Sequence, residues 1–143
     1  MNNEIFKISL CENAIQPSKG SSGAAGYDVY ALVENETTIQ PGDRKLINTG
    51  VKISLPPDCY ARIASRSGLS LLGIDIAAGV IDSDYTGYIH AVVVNNSKNP
   101  FTVKQGDRIA QMIIEKIINP TFVVTDVLDS TNRGDKGFGS TGI

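Results

Sequence analysis

The residues best suited to chemistry in this sequence lie in its last eleven positions, 133–143. Arg133 supplies a guanidinium, Phe138 an aromatic ring, and Ser140 and Thr141 two adjacent hydroxyls. Cations, hydroxyls and glycine N–H groups such as that of Gly139 bind phosphate oxygens, and an aromatic ring can stack on a base. Four glycines in the same stretch disfavour a stable helix or strand. Composition leaves two interpretations open, a lid that orders on a nucleotide or a frayed chain end.

A second candidate is the segment 79–87, Gly-Val-Ile-Asp-Ser-Asp-Tyr-Thr-Gly, which separates two apolar runs. Its spacing predicts a hairpin, and an opening at Gly79 could offer backbone N–H and C=O groups to the edge of a base. Asp82 follows two apolar residues, and an ordinary Asp carboxyl is ionised at neutral pH, so it could act as a general base. Spacing alone favours the simpler alternative, an Asx turn capped by Asp and Ser.

Segment 62–70 places Arg66, Ser67 and Gly68 directly after an apolar run. A strand followed by Ser-Gly and a helix start can bind an anion through backbone amides and a hydroxyl. The guanidinium of Arg66 adds a charged, forked set of donors. An ordinary capped helix with a surface Arg is an equally good interpretation.

Two polar residues interrupt apolar strands. Asp28 lies within the run 26–30, where a carboxylate is costly unless it is paired, solvated or serving a metal. Gln111 stands among isoleucines and needs hydrogen-bond partners, which a ligand or water could supply. Pairing across strands is the favoured interpretation for each residue taken alone.

The elements that must position these residues are short apolar runs with a period of two, rich in Val, Ile, Tyr and Phe and separated by turn signals. They predict an all-β barrel or sandwich. One short helix is predicted at 65–72, and the run 109–118 would also fit a buried helix, although its β-branched residues favour a strand. The predicted strands are 5–10, 27–32, 45–48, 51–55, 60–64, 88–94, 108–115 and 122–127.

Length and composition predict one domain, residues 1–125, followed by a mobile arm, residues 126–143. The net charge of −2 gives no sign of the basic surface that nucleic-acid-binding proteins usually carry. The sequence shows no signal peptide or membrane span, so we expect an intracellular protein, cytoplasmic or nuclear, with Cys11 and Cys59 reduced. Neither a phosphate loop nor a dinucleotide glycine fingerprint is present, and His90 is the only histidine.

Taken in order, five segments resemble the five motifs of the trimeric dUTPase family (deoxyuridine 5′-triphosphate nucleotidohydrolase). The resemblance implies a jelly-roll-like β subunit and a homotrimer. Its three active sites would lie between subunits, each closed by a C-terminal arm. The five segments are residues 25–31, 62–69, 79–87, 106–111 and 133–142.

The same resemblance implies a dUTP pyrophosphatase, a hydrolase that converts dUTP to dUMP and pyrophosphate with Mg²⁺. Such an enzyme limits uracil incorporation into DNA and supplies dUMP for dTMP synthesis. By position, Asp82 would activate the water that attacks the α-phosphorus, Tyr85 would pack under the deoxyribose, and Asp28 would hold Mg²⁺ through water, the ion resting mainly on the triphosphate. The implied substrate contacts are Gly79, Val80, Ile81 and Asp82 for the uracil edge, Arg66, Ser67, Gly68 and Gln111 for the phosphates, and Arg133, Phe138, Gly139, Ser140 and Thr141 from the arm, with Phe138 on the uracil.

The sequence departs from the family at Tyr88, where Glu or Asn is common, and at Ser65, where Pro is usual. Neither position is an implied contact. The sequence disfavours two other classes of protein. A dCTP deaminase or a bifunctional relative of the same fold would use a Glu near the hairpin, yet no Glu lies between Glu36 and Glu115. A non-enzymatic binding or regulatory protein is disfavoured because Asp82, Tyr85 and the full arm are present.

Overall fold

The structure is a computed structural model that describes residues 4–142. Within that range the chain forms short strands and one five-residue helix, which confirms the all-β class. No helix in the described range is long and apolar enough to cross a membrane. The elements are β1 (Lys7–Leu10), β2 (Tyr27–Tyr30), β3 (Thr37–Ile39), β4 (Arg44–Asn48), β5 (Val51–Ser54), β6 (Cys59–Ala64), α1 (Ser67–Leu71), β7 (Ile74–Ala77), β8 (Val80–Ile81), β9 (His90–Asn95), β10 (Phe101–Val103) and β11 (Arg108–Lys116).

Two larger sheets carry the fold. One has the strand order β2-β11-β6-β8 and the other the order β4-β9-β7, and all of their pairings are antiparallel. Two-stranded pairs, β1 with β5 and β3 with β10, complete the structure.

The core forms because the strands alternate as their sequences predict. In β6, Cys59, Ala61 and Ile63 are buried while the residues between them point outward. In β9, Ala91 and Val93 are fully buried in the same way. Both cysteines are free, and burial raises the pKa of the Cys59 thiol.

The segment after β7 changes sheet. Ala78 and Gly79 both have positive φ, 55° and 103°, so the chain turns sharply. Strand β8 then pairs with β6, whereas β7 pairs with β9. The loop 78–89 therefore joins the antiparallel strands β7 and β9, as the hairpin prediction requires, but its first part is attached to the other sheet.

The prediction of a strand at 122–127 was wrong. The chain is irregular there, and Phe122 and Val124 are 90% and 98% exposed. β-branched residues favour extended backbone, but a strand also needs a partner ladder, and the described part of the chain supplies none. The predicted helix at 65–72 is confirmed as the shorter α1.

Candidate active site

A charged cluster surrounds Asp28 on β2. Arg66 Nε lies 3.2 Å from Asp28 Oδ1, and Arg108 Nη1 lies 3.6 Å from Asp28 Oδ2. The side chain of Asp28 is 19% exposed and that of Arg108 56%. Two guanidiniums against one carboxylate leave a net positive charge, which gives an acidic protein a local site for an anion.

Gln111 joins this cluster through strand register. It pairs with Asp28 on β2 and with Ala64 on β6. A register shift in β11 between Arg108 and Ala110 makes that alignment possible. Gln111 Nε2 donates to the Ser65 carbonyl oxygen at 2.9 Å, which supplies the partner that an inward Gln needs. Cross-strand pairing thus satisfies both Asp28 and Gln111 and also brings them together.

The start of α1 borders the cluster. Arg66 stands at the N-cap with an extended backbone and no side-chain cap, and its Nη1 donates to the Arg108 carbonyl oxygen at 2.9 Å. Ser67 and Gly68 follow at exposed positions. Arg66 therefore contacts Asp28 directly, and Ser67 and Gly68 follow it in the chain.

Asp82 and Tyr85 lie in a separate cleft of about 330 Å³. The Tyr85 N–H donates to the Asp82 carbonyl oxygen at 3.1 Å, which closes the turn. The Tyr85 ring lies close to Gly87, where a Cβ would be only 2.6 Å from the phenol oxygen. The cleft is lined by Leu46, Val80, Ile81, Asp82, Tyr85, Tyr88 and His90.

The cleft and the charged cluster do not converge within one chain. Strand β8 runs antiparallel to β6, with Val80 opposite Arg62 and Ile81 opposite Ala61. Asp82 therefore lies toward the beginning of β6, whereas Arg66 follows the end of β6. A six-residue strand is about 17–20 Å long. One chain thus holds the cluster and the cleft at opposite ends of a strand.

The arm residues are exposed and form their own turns. Arg133 Nε donates to the Lys136 carbonyl oxygen at 2.8 Å, and the Ser140 N–H donates to the Gly137 carbonyl oxygen at 2.9 Å. Phe138 is fully exposed with a φ of 50°. Within residues 4–142, the hydrogen bonds of the arm from 131 onward stay inside the arm, so the structure does not bring these residues to the cluster or to the cleft.

Sequence reasoning missed a polar group on the outer face of β6 and β11. Tyr60 donates to Glu115, and Arg62 Nη2 donates to the Tyr60 hydroxyl at 2.7 Å. The Tyr60 hydrogen bond, followed by the charge of Arg62, lowers the pKa of Glu115. The bond to Tyr60 also raises the pKa of Arg62. Alternation of polar residues along these two strands was the available signal.

The residues around Asp28 fit an ion that arrives with a substrate better than a resident metal. Among residues 4–142, no three or more His, Cys, Asp and Glu side chains cluster as a metal cage. Mg²⁺ keeps several waters and commonly binds through one or two carboxylates together with substrate phosphates. A single, partly exposed carboxylate such as Asp28 can contact such an ion through water.

The fold places this structure in the class of jelly-roll β proteins. A family model for dUTPase matches residues 12–142. The chain belongs to the dUTPase family, which confirms the resemblance drawn from the five motifs.

Similar proteins cover nearly the whole chain. The deoxyuridine 5′-triphosphate nucleotidohydrolases of Vaccinia virus (strain Copenhagen) and Monkeypox virus are each 50% identical over 143 residues, covering all of this chain and 96% and 93% of theirs. A solved dUTPase of Staphylococcus bacteriophage 80alpha, with dUPNHPP, has a TM-score of 0.89 at 26% identity, covering 97% of this chain and 99% of that one. The fold also matches a dUTPase mutant from phage phi11 of S. aureus, described with a structural Mg(II) ion, at a TM-score of 0.80 and 23% identity over 89% of this chain and all of that one.

Proposed function

We propose that this protein hydrolyses dUTP to dUMP and pyrophosphate, with Mg²⁺ as cofactor. Its place in the dUTPase family gives the enzyme class, a hydrolase that acts on dUTP. The observation that supports the residue roles best is the pair of half-sites, a cationic cluster around Asp28 and a cleft that holds Asp82 and Tyr85. The reaction would limit uracil incorporation into DNA and supply dUMP for dTMP synthesis.

The cluster around Asp28 binds the triphosphate in this proposal. Arg66 contributes a forked guanidinium, and Ser67 and Gly68 contribute a hydroxyl and backbone N–H groups. Gln111 lies beside them, fixed by its bond to the Ser65 carbonyl. Bound on the triphosphate, Mg²⁺ would offset phosphate charge and align the α-phosphorus for attack.

Asp82 acts as the general base. Its side chain is exposed at the cleft, so a water molecule can reach its carboxylate. Asp82 takes a proton from that water as the water oxygen attacks the α-phosphorus. The bond between the α-phosphorus and the bridging oxygen breaks, and pyrophosphate leaves with that oxygen.

The cleft selects the base and the sugar. The backbone of Gly79, Val80, Ile81 and Asp82 reads the uracil edge, and a cytosine amino group would meet a donor there and leave it unpaired. The Tyr85 ring packs under the deoxyribose and leaves no room for a 2′-hydroxyl.

Residues 126–143 serve as an arm that closes the site over bound nucleotide. Phe138 stacks on the uracil. Its ring is fully exposed in the structure, so stacking would remove a large apolar surface from water. The remaining arm contacts are to phosphates. They are Arg133, Gly139, Ser140 and Thr141.

The complete active site forms in a homotrimer. The separation of the half-sites along β6 supports this, since one chain cannot bring Asp82 to Arg66. Exposed apolar residues after β11 also favour association, because Phe122, Val124 and Leu128 are 90%, 98% and 86% exposed.

The test of the activity is pyrophosphate release from dUTP, dCTP, UTP and dTTP with Mg²⁺. Wild type should prefer dUTP, and Asp82→Asn should lose activity by at least about 100-fold, the usual contribution of a general base. Unchanged activity in Asp82→Asn would refute the role of Asp82. Equal turnover of UTP and dUTP would refute the role of Tyr85.

Mixing two inactive variants tests the assembly. Arg66→Ala breaks the cationic half-site and Asp82→Asn breaks the cleft, so co-expressed chains should regain activity if a site combines halves from different subunits. Arg66→Ala mixed with Gln111→Leu is the control, because both lie in the same half-site and should give no recovery. Sedimentation should show three times the chain mass. A monomer, or a mixture without recovery, would contradict the inter-subunit site.

A further inference from the structure

Two side chains of the loop after Tyr85 and of the strand that follows contact the same backbone carbonyl oxygen. The Tyr85 hydroxyl donates to the Tyr88 carbonyl oxygen at 2.7 Å, and His90 Nδ1 lies 2.9 Å from the same oxygen. A carbonyl oxygen has two lone pairs, so both of its acceptor positions are used. Tyr85 and His90 are therefore joined through a single acceptor.

This contact fixes the tautomer of His90. A carbonyl oxygen only accepts hydrogen bonds, so Nδ1 must carry the hydrogen. In the neutral ring Nε2 is then the acceptor. His90 is also a lining residue of the cleft that holds Asp82 and Tyr85.

Rigid elements hold both ends of this arrangement. His90 begins β9 and pairs with Asn48 on β4, so the register of a sheet sets the position of its ring. The Tyr88 ring lies under the Lys52 ammonium on β5, 4.6 Å from the ring centroid. The start of β9 and Lys52 on β5 therefore restrain the loop that carries the Tyr88 carbonyl.

We propose that His90 is a positioning residue for Tyr85: by donating from Nδ1 to the Tyr88 carbonyl, it orients the acceptor that holds the Tyr85 ring at the floor of the nucleoside cleft. This inference rests on the proposed function, since it assigns the sugar selectivity of the cleft partly to His90. Without the bond, the Tyr88 carbonyl can rotate and the Tyr85 ring can move off Gly87. A ribose would then be tolerated better.

Three variants distinguish the hydrogen bond donated by His90 from the effects of side-chain size and loop restraint. His90→Leu removes the donor but fills similar space. His90→Asn keeps an amide N–H donor at a position similar to that of Nδ1. Lys52→Met removes the cation above Tyr88 but leaves both hydrogen bonds to the carbonyl in place, so it measures how much this restraint on the loop contributes by itself.

Kinetics with dUTP and UTP give the first readout. His90→Leu should lower the ratio of kcat/KM for dUTP over UTP by about tenfold, the usual worth of one hydrogen bond. The change in this ratio should appear in the KM values rather than in kcat, because Tyr85 contacts the sugar rather than the α-phosphorus. His90→Asn should restore the ratio to within about twofold of wild type, a difference smaller than one hydrogen bond. An unchanged ratio in His90→Leu, or equal losses in His90→Leu and His90→Asn, would overturn the proposal.

A second readout does not need activity. His90 is the only histidine in the sequence, so ¹⁵N-histidine labels a single ring. Long-range ¹H–¹⁵N correlation above pH 8 should show hydrogen on Nδ1, and Tyr85→Phe should shift the ring signals. Hydrogen on Nε2 would overturn the positioning role even if the enzyme hydrolyses dUTP. A wild type with no dUTP turnover would refute the proposed function alone, leaving the tautomer result to decide the positioning role.

Discussion

At the scale of single residues, Gly79 determines where the cleft lies. Its carbonyl oxygen accepts from the Ile63 N–H at 2.7 Å, which joins the start of β8 to β6. Its φ of 103° lies in the region that favours glycine, and a Cβ there would overlap the Ile63 carbonyl oxygen. Both the conformation and the close approach therefore require glycine.

We expect Gly79→Ala to lower the free energy of unfolding by about 2 kcal/mol or more, since it adds a backbone clash to a strained φ. Gly42→Ala is the matched control: its φ is 82° but no atom lies within 4 Å of the added Cβ. The control should lose only about 1 kcal/mol. Urea unfolding of both variants measures the difference, and equal losses would show that the contact with Ile63 is unimportant.

At the scale of elements, α1 depends on its neighbours. It has five residues, no side-chain cap and no buried residue, so it would not be stable alone. Ser70 Oγ donates to Asp75 Oδ1 at 2.6 Å, and Asn96 Nδ2 donates to Asp75 Oδ2 at 3.1 Å. Asp75 on β7 thus ties the helix to the sheet, and these hydrogen bonds, that of Ser70 first, lower its pKa.

This tether should be pH-dependent. Because the folded-state pKa of Asp75 is lowered, its ionised form contributes full stability above the unfolded pKa of about 4, and the contribution is lost as the pH falls through the lowered value. Asp75→Asn should melt about 3 °C below wild type at pH 7. The gap should begin to narrow as the pH falls below about 4 and should close once the pH is below the lowered folded-state pKa, where the wild-type carboxyl is protonated as well. Asp43→Asn, at an exposed turn, is the control, and a gap that does not change with pH would contradict the assignment.

Alternating burial made the longer strands predictable, because Cys59, Ala61 and Ile63 face one core. The three-residue strands β3 and β10 were missed, since their pairing rests on contacts distant in sequence. Fully buried Asn95 helps to hold that region: its Nδ2 donates to the Ile39 carbonyl oxygen at 2.9 Å. A sequence pattern does not reveal such a partner.

The residues of the candidate site were found because their types are unusual for their surroundings. Asp28 and Gln111 interrupt apolar strands, and register places them side by side. The bond from the Tyr85 hydroxyl to the Tyr88 carbonyl was not predictable, because it depends on the turn conformation. The contact of His90 Nδ1 with the same carbonyl was not predictable either.

At the scale of the whole molecule, the net charge of −2 and the proposed anionic substrate are compatible because the positive charge is local. Arg66 and Arg108 share one carboxylate at the end of β6. A wide basic surface would attract nucleic acid as well as nucleotide. A local positive cluster of this kind therefore favours a small phosphorylated ligand.

The arm gives the last prediction. Removing residues 133–143 should leave the melting temperature within about 2 °C of wild type, because exposed turns that bond only among themselves contribute little to stability. Turnover of dUTP should fall by at least about 100-fold, since the phosphate contacts and the base stacking proposed for the arm would be lost together. Differential scanning fluorimetry and steady-state kinetics measure the two effects. Phe138→Ala is the partial variant and should lose about tenfold, the worth of one base stack. A large fall in melting temperature with activity retained would instead make the arm a structural element of the assembly.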